Sequence, residues 1–176
     1  MFRRISLTFV LMPFFSAHAS SFTYKVQEGQ WTVNGGKSHC EAMNRPPSEA
    51  NYAPINMMFI HQDEKREPKI TVIFWPGALP EKATSLKFTL NVGGEQKVFD
   101  VPAKIGNPEL NVIATTEPLP KDFSRTMGDL SQVLFNMDVE VPGSKARTVF
   151  SIEDISRVLN LLNSCVYELE QSKKAN

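Results

Sequence analysis

The sequence predicts a mainly β protein of the α+β class, an antiparallel β-sandwich or partly open barrel with a short helix and a C-terminal helix packed on the sheet. Three observations carry this. Apolar and polar residues alternate in many short runs, best seen in Leu86, Phe88, Leu90 and Val92 against Lys87, Thr89 and Asn91; period two marks strands with one buried and one wet face. Glycine and proline punctuate those runs at Asn34-Gly35-Gly36, Pro76-Gly77, Gly93-Gly94 and Pro142-Gly143, the chemistry of tight turns. One long stripe at helical spacing, Ile152, Ile155, Leu159, Leu162, Val166 and Leu169, lies near the end of the chain.

Residues 1–19 stand apart from these elements. Arg3 and Arg4 precede an apolar run from Ile5 to Phe15 and then Ala17-His18-Ala19, the order of an export leader cleaved after Ala19. The run is too short to span a bilayer, and no cysteine lies near the cleavage site to take a lipid. Residues 20–176 are then expected to make a single globular domain.

Within it, Phe22, Tyr24 and Val26 alternate against Thr23 and Lys25, and Trp31-Thr32-Val33 follows. A short strand is predicted over His39–Met43, then a loop from Arg45 to Pro54. Ile55–Ile60 and Ile70–Trp75, separated by the charged run Asp63–Glu67, read as a core hairpin. Leu86–Val92 and Gln96–Val101 form a hairpin about Gly93-Gly94, with Pro102 expected to stop the second strand. A strand near Leu110–Thr115 precedes Pro118 and Pro120, which set off a helix carrying Phe123, Met127, Leu130 and Leu134 at helical spacing. Phe135–Val141 and Ala146–Phe150 make another hairpin. Ser151 is expected to cap the last helix, with Asp154 in the position where a capping box has Glu, and Gln171–Asn176 to fray.

Cys40 and Cys165 are the only cysteines. An exported chain enters an oxidising compartment, which favours their pairing; two separate buried thiols are the alternative. Cys165 lies beside the helical stripe, so the last helix can bury its apolar face and bring its sulfur to the sheet together.

Charge excludes one class of partner. The chain carries 19 basic and 19 acidic residues, with no basic surplus for nucleic acid. Beyond the leader, no segment approaches the roughly 20 apolar residues of a membrane helix.

Motifs of catalysis are missing: no nucleophile elbow, phosphate-binding glycine loop, His-Glu-x-x-His or calcium loop occurs. His39 and His61 are the histidines outside the leader. His61 and Asp63 could offer two ligands from one strand face, but a metal needs three or four, and a solvated strand end explains them as well. No metal and no cofactor is expected. Glu153-Asp154 suits a helix N-terminus, and Glu168 with Glu170 suits a solvated face. Trp31 and Phe74 read as core. Trp75 and Pro76, at a strand end that opens onto loops, and Arg45 and Tyr52 in the loop are the candidate binding residues.

The order of Gln30-Trp31-Thr32-Val33, Cys40, Trp75-Pro76-Gly77-Ala78-Leu79, Leu86 to Gly94 and Phe150-Ser151-Ile152-Glu153-Asp154-Ile155 behind a leader resembles the invasion-associated locus B family of exported bacterial proteins. The resemblance implies a periplasmic or envelope-associated protein, or a secreted one, with a role in the envelope or in host contact. It carries over no catalytic residues. A non-enzymatic protein binding an envelope or host protein is therefore expected. Two alternatives stay open: a periplasmic small-ligand binder or hydrolase whose pocket holds His39 or His61 with a carboxylate, and an assembly subunit pairing through an edge strand such as Phe22–Val26.

Overall fold

The computed structural model describes residues 24–28, 31–36, 38–44, 56–92, 94–130 and 135–174. The expected leader, the loop with Arg45 and Tyr52, and Phe22 and Leu134 lie outside them. Among the described residues are ten strands, β1 (Tyr24–Glu28), β2 (Trp31–Gly35), β3 (Cys40–Asn44), β4 (Met57–Gln62), β5 (Lys69–Ile73), β6 (Ser85–Val92), β7 (Glu95–Asn107), β8 (Val112–Thr115), β9 (Phe135–Glu140) and β10 (Arg147–Ile152), with helices α1 (Lys121–Asp129) and α2 (Ile155–Lys174). They pair antiparallel in the order β1-β2-β3-β4-β5-β8-β7-β6-β9-β10, and the sheet does not close into a barrel. The expected mainly β class with a short and a C-terminal helix is what forms.

Alternation places the core. Cys40 and Ala42 on β3, Met58 and Ile60 on β4, Ile70 and Val72 on β5, and Leu86, Phe88 and Leu90 on β6 have no solvent exposure. One buried cluster joins these to β9, β10 and both helices. Phe123 of α1 meets Phe88 and Phe99 edge-on, at centroid distances of 5.2 and 5.0 Å, the arrangement that ring quadrupoles favour.

Pro102 does not stop its strand. β7 runs through it, pairing with β6 up to Pro102 and with β8 from Ala103 onward. The N–H that proline lacks falls where β7 changes partner, and the Pro102 carbonyl accepts from Thr116 N–H at 2.9 Å. An X-Pro step ends a strand only where the ladder needs its donor.

Ser151 does not cap α2. It and Ile152 pair with Asn136 and Phe135 as the end of β10, and the helix begins at Ile155 after Asp154, whose φ is 51°. Strand pairing thus claims the residues that local capping chemistry would use. The 20 residues of α2 extend about 30 Å, lie over β1 to β4, and bury Ile155, Val158, Leu162, Cys165, Val166 and Leu169. Its last turn holds where fraying is expected: Lys173 pairs with Glu64, and Arg66 with Glu170 at 3.6 Å. Both ties reach the β4–β5 turn. Among the described residues no helix is long and apolar enough to cross a membrane.

Candidate functional site

Cys40 and Cys165 form a disulfide, with Cα atoms 6.1 Å apart, that closes a sequence separation of 125 residues. It fastens β3 to α2 from the buried side. A side chain on either side of Cys40 must therefore face outward.

His39 and Glu41 are those neighbours. β3 pairs with β4 so that Glu41 lies opposite His61, which brings His39, Glu41 and His61 together with their ligand-capable atoms within 4.8 Å of one another. His61 Nδ1 is 3.8 Å from Glu41 Oε2, each side chain about a third exposed. His61 Nε2 lies 3.0 Å from Thr71 Oγ1 of β5. Its ring stacks on Phe59 at 6.0 Å and stands 5.8 Å from that of His39. His39 is the exposed member, its Nδ1 3.3 Å from Ser38 Oγ. Burial pushes the His61 pKa below the usual histidine value, Glu41 opposes that shift, and His39 adds to it. The ring is thereby biased toward its neutral, lone-pair-bearing form.

The structure gives His61 different neighbours from the Asp63 suggested by sequence. Asp63 lies beyond the end of β4, exposed, where its Oδ1 accepts from Lys65 N–H at 2.9 Å and shapes the turn. The residue that sequence reasoning missed is Glu41. Its signal was the His39-x-Glu41 spacing, which puts both on one strand face once the segment is read as β.

Trp75 occupies a second surface. Trp31 and Phe74 are buried, whereas Trp75 is partly exposed and leans on the core. Trp75-Pro76-Gly77-Ala78 closes with Ala78 N–H donating to the Trp75 carbonyl at 3.2 Å, and Gly77 has φ 78°. Proline second and a positive-φ glycine third is the type II pattern. Asn111 Oδ1 accepts from Gly77 N–H at 2.9 Å, and Asn56 Oδ1 from Trp75 N–H at 3.0 Å. Asn56 Nδ2 also donates to Thr148 Oγ1 of β10 at 2.9 Å, so this turn is tied across both halves of the sheet.

A cleft of about 430 Å³ opens elsewhere, between the β4–β5 turn, α1 and α2, lined by residues including Gln62, Arg66, Pro68, Leu119, Lys121 and Asn163. Neither histidine lines it. Of the histidines, His39 is exposed, and the side chains of His61 and Glu41 are each about a third exposed.

Among solved structures, the chain is similar to the crystal structure of invasion associated protein b from Bartonella henselae, with a TM-score of 0.53 and 14% sequence identity over 84% of this chain and 99% of that chain. No protein-family model matches the sequence, and no curated protein matches it. The chain therefore shares its fold with that protein, and at this identity the likeness extends to the fold alone.

Proposed function

We propose that this chain is an exported protein of the bacterial cell envelope that acts by binding a protein or envelope component, with a role in the envelope or in host contact. The disulfide supports the location, because such a bond persists in an oxidising compartment. The fold shared with an invasion associated protein supports the setting.

The observation that carries the binding reading is the Trp75 turn. A partly exposed indole beside an exposed Pro76, held by two asparagine side chains, is a rigid aromatic of the kind that anchors interfaces. The exposed β10 edge with Val149, 55% accessible, offers a second place for a partner to pair.

Crosslinking in the native envelope followed by affinity capture tests this reading, with Trp75→Ala and Pro76→Glu beside the parent. A specific partner lost in both variants, with thermal melts unchanged for Pro76→Glu, is the expected result. The same capture by all three proteins would remove the turn from the function.

A further inference from the structure

We propose that His39, Glu41 and His61 bind one divalent transition-metal ion on the outer face of the sheet. This is independent of the interaction reading, which rests on a different surface. Three facts of the fold lead to it.

The donor set comes first. Two imidazoles and one carboxylate match the three-ligand chemistry of zinc and related ions, with a fourth position left to water. Ligand atoms about 2.1 Å from a tetrahedral ion sit about 3.4 Å from each other. The 3.8 Å between His61 Nδ1 and Glu41 Oε2, and the 4.8 Å limit for the whole set, are within a side-chain rotation of that.

The hydrogen-bond pattern comes second. Thr71 Oγ1 beside Nε2 accepts from Nε2–H in the tautomer that turns the Nδ1 lone pair toward the Glu41 carboxylate. In the other tautomer the Thr71 hydroxyl donates to Nε2 and Nδ1–H faces the carboxylate; a cation at Nδ1 selects the first, and a metal-bound histidine characteristically has its other nitrogen held in this way.

The scaffold comes third. Cys40 lies between His39 and Glu41 and is bonded to α2, β4 holds His61 in register, and the Gly36 N–H to His39 carbonyl bond of 2.9 Å closes the turn that delivers His39. Two ligands thus lie on neighbouring strands of a pinned sheet, and the third on the tight turn that leads into one of them. Lys69 lies opposite His61 on β5, and Lys25 of β1 falls in the same cross-strand row beyond Asn34; both are exposed, where their repulsion is screened.

The test is calorimetric titration of the tag-free, metal-stripped protein with zinc at neutral pH. One ion per chain is expected. Glu41→Gln and His39→Asn should each weaken binding tenfold or more, and Thr71→Val by about 10- to 100-fold through loss of the ring's orientation. Nitrogen-15 spectra should show zinc on His61 Nδ1 with Nε2 still protonated. Melts in chelator keep the reading clear of folding effects, and the exposed position of His39 makes His39→Asn safe if His61→Gln unfolds. Undiminished binding by the His39→Asn/Glu41→Gln pair, or no saturable zinc binding by the parent, would overturn the proposal.

Discussion

On β3, Cys40 and Ala42 point into the core with no solvent exposure, whereas Glu41 between them lies on the other face with about a third of its side chain accessible. The same contrast repeats on β4, where Ile60 is buried and His61 is not. On the inner face, neighbours are fixed by α2, by close packing and by a covalent bond. On the outer face, His61 and Glu41 are placed by cross-strand register, with Thr71 and the Phe59 ring beside His61. A half-covered antiparallel sheet can thus keep its stability on one side and arrange polar groups on the other, at the cost of one residue of register.

The sharpest break in that comparison is at the disulfide. Removing it through Cys40→Ala with Cys165→Ala frees a 125-residue span, and loss of a native bridge costs about 2–5 kcal/mol. Denaturant melts should show the single variants losing about as much as the double, since either one abolishes the bond. A reduced protein as stable as the oxidised one would show that burial under α2 suffices without the bond. In the double variant zinc affinity should also fall, because β3, which carries Glu41 and follows the turn bearing His39, then lacks its covalent tie to α2.

Ile60→Ala sets the two faces side by side. Ile60 is fully buried, and truncation there is expected to cost about 2–5 kcal/mol, the usual range for an aliphatic core residue cut to alanine. Glu41→Gln, the residue cross-strand from His61, should stay within about 0.5 kcal/mol of the parent in chelator, as for surface changes generally. Equal losses for the two would mean that the outer face carries packing of its own.

How much of this was legible follows from the range of the interactions involved. Period-two alternation told which side chains of β6 and β9 face inward, because the pleat alone decides that. Pairing of Cys40 with Cys165 was legible from their being alone in the chain and from the helical stripe beside Cys165. Local chemistry misled where a distant strand intervened. Pro102 continues β7 because β8 takes over the ladder, and Ser151 stays in β10 because Asn136 pairs with it. The cluster of His39, Glu41 and His61 was hidden for the same reason: the spacing of His39 and Glu41 is local, but the register that sets Glu41 against His61 depends on β3 and β4 meeting across the loop that joins them. Asp63, close in sequence to His61, stands outside that cluster because the chain leaves the sheet before reaching it.

The smallest effect expected is a pH dependence of stability arising from the outer face alone. In the unfolded chain His61 titrates near the ordinary 6.5; in the folded protein burial holds its pKa lower, against the raising influence of Glu41 and together with the lowering influence of His39. As pH falls through 6.5 the unfolded chain takes up a proton that the native protein refuses, so stability declines from there down to the folded pKa and is unaffected by this group at pH well above 6.5. Denaturant melts in chelator across that window should therefore slope downward toward acid, and His61→Gln should remove the part of the slope due to this residue. Glu41→Gln should widen the window by removing the group that favours the charged ring, and His39→Asn should narrow it. Such opposite responses from two residues flanking Cys40 would come from the electrostatics of the outer face, since neither substitution touches the core that Cys40 anchors.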